Sequence, residues 1–412
     1  MALRVNKISI REIFNFLFEG NSTFNLLCCT LWGLTLLGYL AGGVMHFCSY
    51  IPDSRYITFP IIIIVLFFAI PQIIKRLSIK DIIFYLLCVC VYLSQYSLFQ
   101  TNLEPLDEFA LRCCFTVFPF FFFGKMVDIP KMFNAFYYIS LATIAMFAFY
   151  FIIYGQGSSQ VSSEDYNMDA AYNLLPHVLM VLWKTIREFS PLRAFIGLLS
   201  TMLLIMFGTR GPLLSLVLPI VIYVFFAYHG KHAKLFRWIM IIVAIVLILV
   251  LIPLAMYLTD IFDSLDVNSR ILEKILDNEI EDDSGRGALI VELNGHLLTE
   301  DKIFGYGLFG SYQYIGGYPH NIFYELIFSF GFLVGSILII LMLRHFIMGY
   351  CNAADDITKE FILLFTLMEL THLCLSYTFL TEQMFFLLLG VCAQRYRKSN
   401  KITIVSNNLT TE

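Results

Sequence analysis

Charge is what this sequence has least of. Only 14% of its 412 residues are Asp, Glu, Lys or Arg, against about 25% in average soluble domains, and that shortage excludes an ordinary soluble enzyme. A disordered chain is excluded from the other side, because such chains are rich in charge and poor in aromatics, whereas 16% here are Phe, Trp or Tyr. Cysteine is also sparse: 10 residues are too few for a disulfide-stapled secreted module. Cys28, Cys29, Cys88, Cys90, Cys113, Cys114, Cys374 and Cys392 lie in or at the ends of apolar runs, where they read as small hydrophobes. No Cys-x-x-Cys or His-x-x-x-His spacing points to a metal. What is abundant is apolar sequence, 59% hydrophobic with a mean hydropathy of +0.77. The reading is an all-α polytopic integral membrane protein.

A helix crosses the hydrocarbon layer in about 20 mostly apolar residues. By that rule twelve candidate spans run over 24–45, 57–74, 82–99, 109–124, 133–154, 170–183, 194–208, 212–228, 238–258, 321–343, 361–376 and 383–394. Arg4, Lys7, Arg11 and Glu12 precede a long first span with no small-residue cleavage site, so that span is expected to be retained and not removed as a signal peptide. Net charge, −4, matters less than which loops carry Lys and Arg. With the N-terminus in the cytoplasm, all but seven of the 27 basic residues fall on the inside. The seven are Arg55, Arg112, Arg210, Arg270, Lys274, Arg286 and Lys302, all on the opposite face. This bias predicts two cytoplasmic ends. It divides the chain into helices 1 to 9 (1–258), a large outer loop (259–320), helices 10 to 12 (321–394) and a polar tail (395–412).

That loop is exceptional, because connections longer than about 15 residues are usually functional. Leu265, Ile271, Leu272, Ile275 and Leu276 recur at near-helical spacing. Ser284 is placed to cap a second amphipathic helix through Leu289, Leu293 and Leu297. Both are read as short helices lying at the membrane surface.

Several polar residues stand where charge is costly. Arg210, in Gly208-Thr-Arg-Gly-Pro, joins two spans with almost no linker and sits at the outer boundary, either snorkelling to headgroups or facing a site. Arg112 lies a turn into the fourth span near Glu104, Asp107 and Glu108, where a salt bridge competes with ligand binding. Arg286 opens the second loop helix, whose free amides favour an anion such as phosphate. Gly305, Gly307 and Gly310 spell GxGxxG, but without the βαβ unit of a dinucleotide site; they suit a tight loop in which backbone approaches a ligand or the membrane. His320 follows at the outer end of the tenth span, as a cap or as a general base on a hydroxyl. Asn321 and Glu325 share that helix start. Glu369 and His372, with Glu382 at the outer connection, and His177 are intramembrane ionisable candidates, although hydrogen bonding between helices also accounts for the two histidines. Several outward arginines with one outward histidine describe a site that binds a polyanion and moves a proton without a metal.

The chain resembles the O-antigen ligase and Wzy-type polysaccharide polymerase superfamily of bacterial envelope proteins. The likeness lies in Gly208-Thr-Arg-Gly-Pro-Leu-Leu, in Ser284-Gly-Arg-Gly with Gly305-Tyr-Gly-Leu-Phe-Gly-Ser, and in Gly317-Tyr-Pro-His-Asn-Ile-Phe-Tyr-Glu-Leu. Together these cover roughly residues 195–345, in the order and loop context of that family. The resemblance implies a GT-C-like fold of about twelve helices in the bacterial inner membrane, with its active site on the periplasmic face. It implies a metal-independent, cofactor-free glycosyltransferase acting on undecaprenyl-diphosphate-linked oligosaccharides, both donor and acceptor. Arg210 and Arg286 would hold the diphosphate and His320 would be the catalytic base; Arg112 matches no family motif and is a diphosphate candidate by charge alone. Membrane lipids, a flippase and a chain-length regulator are the expected partners, and nucleic acid is not. A ligase acting on a lipid A core shares these motifs. A lipid or polysaccharide transporter is the reading outside the enzyme class, but it ordinarily carries inverted repeats, and none is present here.

Overall fold

The computed structural model describes residues 78–154, 168–206, 210–242, 245, 257, 286–299 and 305–394. Among them the regular structure is helical, without a strand. The spans expected at 24–45 and 57–74, most of 238–258, the first loop helix and Ser284 lie outside the described residues, as does the tail.

Helix α1 (Ile79–Leu98) starts at a capping box: the Ser78 backbone N–H and hydroxyl both donate to Asp81 Oδ2, at 2.9 and 2.6 Å, satisfying donors that a helix start leaves open. The fourth expected span, 109–124, is not one regular helix. It divides into α2 (Leu103–Leu111), a π-turn over Arg112–Val117, and α3 (Phe120–Met126). Pro119 lies at the second junction and has no N–H to continue the ladder. Then come α4 (Ile129–Tyr154), α5 (Met168–Arg187), α6 (Pro191–Met206) and α7 (Arg210–Ile222), the last relaxing into a π-turn over Tyr223–Ala227. In the loop, α8 (Arg286–Thr299) coincides with the second amphipathic pattern and buries Leu293, and α9 (Tyr312–Ile315) is a single turn. Finally α10 (Ile322–Cys351), α11 (Asp356–Leu375) and α12 (Gln383–Gln394) complete the described chain.

Among the described residues, five segments are long and apolar enough to cross a membrane: Ile79–Leu98, Gln100–Met126, Ile129–Phe149, Arg210–Ala227 and Ile322–Cys351. The chain is therefore a helical membrane protein. Their outward faces carry exposed Leu, Ile and Phe, as hydrocarbon solvent allows. Helices α5 and α11 are the more polar members. They are packed among α4, α6, α7 and α10, so their His177, Thr366, Glu369 and His372 are buried in protein.

Helices α5 and α11 run antiparallel, which separates two ends. At one, Glu360 of α11 accepts from Trp183 Nε1 (2.8 Å) and Arg187 Nη1 (2.6 Å) of α5, and Lys125 pairs with Asp81. At the other, Tyr172 meets His372. The twelve residues from Glu360 to His372 set these ends about 18 Å apart. The loop belongs to the second end, where buried Asn102 donates to the Tyr306 and Leu308 carbonyls (2.8 and 3.1 Å) and Gln95 Oε1 accepts from Leu308 N–H (3.0 Å). Helix α10 is kinked at Gly331, φ 77°. Just before the kink, the Phe328 and Ser329 carbonyls accept from the Tyr306 and Gly307 amides, both at 2.9 Å.

Candidate functional site

A cavity of about 370 Å³ opens at the loop end of the bundle. Its walls include Arg112 from the π-turn, Tyr172, Asn173 and His177 from α5, Glu369 and His372 from α11, and Tyr377 and Glu382 from the connection to α12. Glu369 and His372 are three residues apart on a helix and so share one face. The connection brings Glu382 to them, leaving a ligand atom of each within 4.8 Å of the others. Glu369 Oε1 and His372 Nε2 are buried and have no hydrogen-bond partner among the described residues. Buried polar atoms are nearly always bonded, and these two are neighbours in one cavity wall.

The cavity wall is ordered by rings. Tyr172 stacks on His372, and Tyr377 meets both, at 6.0 and 5.3 Å between centroids. Tyr318 stacks on Tyr377 (6.3 Å, 21°) and its edge meets the His320 ring (4.8 Å, 72°). This relay of rings joins His320 to the cavity. Two of its members hold left-handed backbone, His320 at φ 52° and Tyr377 at φ 61°. For a non-glycine residue that conformation costs about 1 to 3 kcal/mol and clusters at functional sites. His177 answers to the structural expectation: its Nδ1 lies 3.1 Å from Ser140 Oγ of α4, joining two helices.

The arginines are distributed unevenly. Arg112 starts the π-turn, a distortion frequent at functional sites, and its Nη2 donates to the Thr381 carbonyl at 3.2 Å, next to Glu382. The alternative salt bridge to Glu104, Asp107 or Glu108 does not form. Arg210 is half-buried at the first position of α7. Its neighbour Gly211 abuts the Tyr172 hydroxyl, where a Cβ has no room, so Arg210 stands at the cavity end of the bundle. Arg286 is the first residue of α8. That helix is fixed beside the loop by the Tyr306 hydroxyl donating to the His296 carbonyl (2.9 Å) and the Tyr324 hydroxyl donating to Asn294 Oδ1 (2.7 Å).

The glycines and the start of α10 have jobs within the fold. A Cβ at Gly305 (φ 70°) would run into the Gly331 backbone and one at Gly307 (φ 78°) into the Phe99 ring; Gly310 lies against Tyr306. At Gly305 the close approach is made to the protein's own kinked helix. Asn321 is the N-cap of α10, its Oδ1 accepting from the Phe323 and Tyr324 amides at 3.0 and 3.2 Å. His320 is therefore not the cap. Buried Glu325 accepts from the Thr378 hydroxyl, tying α10 to the strained turn after α11. Outside the spanning segments, burial pushes the Tyr312 phenol up to about 12, with Tyr318, Glu108 and Glu325 adding to the shift, so it remains a hydrogen-bond donor.

Sequence reasoning passed over the tyrosines. Nothing in composition distinguishes Tyr172, Tyr318 and Tyr377 from the other twenty of the 23. The Glu369-x-x-His372 spacing was legible, since Glu-x-x-His on an inward helix face is a ligand pair in metal-binding bundles. Comparison with family models, with curated proteins and with solved structures finds no match for this chain.

Proposed function

We propose that this membrane protein is a polysaccharide polymerase of the outer face of a bacterial inner membrane, with about twelve GT-C-like spans. It transfers a growing glycan from undecaprenyl diphosphate to a sugar hydroxyl of another lipid-linked repeat unit. One observation carries the reading: strained His320 is coupled by rings to a cavity that holds Arg112, at the same end of the bundle as Arg210.

In the proposed reaction the acceptor hydroxyl oxygen attacks C1 of the donor's reducing-end sugar. The C1–O bond to the diphosphate breaks, its electron pair leaves with undecaprenyl diphosphate, and the acceptor proton passes to His320. Charge grows on the leaving phosphate in the transition state. Fixed guanidinium groups stabilise that charge more than they stabilise the ground state. Arg210 and Arg286, supplemented by Arg112, are assigned this role, because a planar fork matches phosphate oxygens.

The test is a gel of surface glycan from cells lacking the gene, complemented with wild type, His320→Ala, Arg210→Ala or Arg286→Ala at matched protein level. Single repeat units on their normal anchor in place of a ladder support polymerisation. Long lipid-linked chains that never reach the anchor would instead make it a ligase. An unchanged ladder removes the glycosyl-transfer reading.

A further inference from the structure

Two buried groups in the cavity wall, Glu369 and His372, ask for an occupant. Glu369 and His372 are 2% and 6% exposed, so neither ionic form nor lone pair is satisfied by bulk water. Glu369 Oε1 and His372 Nε2 have no hydrogen-bond partner among the described residues, yet a ligand atom of each lies within 4.8 Å of one on Glu382. One imidazole and two carboxyl groups thus surround a common point. The nearest groups do not supply the occupant. Arg112, in the same wall, is turned to the Thr381 carbonyl, and Tyr172 covers the face of the His372 ring, leaving its edge nitrogens in the ring plane.

We infer that Glu369, His372 and Glu382 form a binding site for one divalent cation of the Zn²⁺ or Mn²⁺ class. One nitrogen and two carboxylate groups are a borderline-hard donor set suited to those ions. Ligands about 2.1 Å from an ion stand roughly 3 to 4 Å from one another, so the three atoms close in by about 1 Å on binding. That movement is within the reach of carboxylate and imidazole torsions. Three protein ligands leave open positions, as in catalytic metal sites, and these face the cavity beside Arg112. The cation lies off the path that assigns proton transfer to His320. It departs from the expectation of a metal-free site, which rested on the absence of Cys-x-x-Cys and His-x-x-x-His spacings, on the arginine and histidine pattern and on the family resemblance. The site does not rest on the glycosyl-transfer reading.

The experiment uses the full chain in detergent without a histidine tag, stripped with chelator and dialysed against Zn²⁺ or Mn²⁺. The expected result is saturable binding of one ion per chain, weakened at least 10-fold in each of Glu369→Gln, His372→Gln and Glu382→Gln and unaltered in Lys131→Ala at the opposite end. Elution and thermal unfolding identify any variant that misfolds. A measurement on the wild type needs no variant: bound Mn²⁺ should give ¹⁴N coupling from one imidazole. Absence of stoichiometric binding, equal binding by the three variants, or a Mn²⁺ signal without nitrogen coupling would overturn the site. Because the readout is metal content, a failed glycan assay leaves this result untouched, and the reverse also holds.

Discussion

The Tyr172 ring lies flat on the His372 imidazole, centroids 3.9 Å apart and planes 23° from parallel. One ring comes from α5 and the other from α11, so the stack sets the position of a cavity histidine whose Nε2 has no hydrogen-bond partner among the described residues. Tyr172→Ala should lower stability by about 3 to 5 kcal/mol, the range for a buried aromatic truncation. Tyr172→Phe keeps the stack and should lose only about 1 kcal/mol with its hydroxyl. Thermal or denaturant unfolding in detergent separates the two; equal losses would mean that the hydroxyl, and not the stack, matters.

Gly211 presses on the same tyrosine. A methyl group there meets the Tyr172 hydroxyl, and overpacking of this kind costs about 1 to 3 kcal/mol. Gly211→Ala is therefore expected to destabilise, and Tyr172→Phe in the same chain to restore part of the loss. Strict additivity in that double-mutant cycle would deny the contact.

The bond between Glu325 and Thr378 crosses from α10 to the turn that carries strained Tyr377. Glu325→Gln retains an acceptor for the hydroxyl and should unfold within about 1 kcal/mol of wild type. Glu325→Leu leaves the hydroxyl buried without its acceptor, at a cost of about 1 to 3 kcal/mol. If the glutamine variant kept its stability but lost all activity, Glu325 would act in the reaction and not in holding the turn.

Two neighbouring glycines should respond differently to a second substitution. Gly305→Ala places a methyl group against the backbone of Gly331, which no side-chain change removes, whereas Gly307→Ala strikes the Phe99 ring. Phe99→Ala should therefore rescue part of the Gly307→Ala defect and none of the Gly305→Ala defect. Both retain the positive-φ penalty of about 1 to 2 kcal/mol. Folded yield from membranes is the readout.

On the proposed function, Arg286→Lys should remain at least 10-fold impaired in glycan polymerisation, because an ammonium cannot make the paired bonds of a guanidinium to a diphosphate. Full activity of the lysine variant, measured on purified lipid-linked units, would reject that geometry.

Much of the helical layout was legible because hydrophobic length is a direct consequence of solvent. The spans expected at 133–154 and 212–228 coincide with α4 and the stretch from α7 to Ala227 within a few residues, and a shorter apolar helix, α12, lies over 383–394. The second loop helix followed from the spacing of Leu289, Leu293 and Leu297. Hydropathy could not reveal the division of 109–124, since π-turns and the break at Pro119 leave composition unchanged. Nor could it assign partners: Arg112 chose a carbonyl 269 residues away over the acids beside it in sequence. The site was half visible. Glu369, His372 and His320 were singled out one at a time, but the tyrosines that connect them appear only when α5, α11 and the loop meet, because ring stacking between distant segments has no local signature.

Because the carbonyls of Phe328 and Ser329 are met by amides of Tyr306 and Gly307, α10 and the loop before it form one hydrogen-bonded unit. In hydrocarbon an unmet carbonyl costs several kcal/mol, so the bent helix has little stability until the loop arrives, and the loop has no template until the helix bends. During biogenesis the segment ahead of α10 must wait for a later part of the chain, and a break anywhere in that unit would disperse His320, its aromatic neighbours and the cavity mouth together.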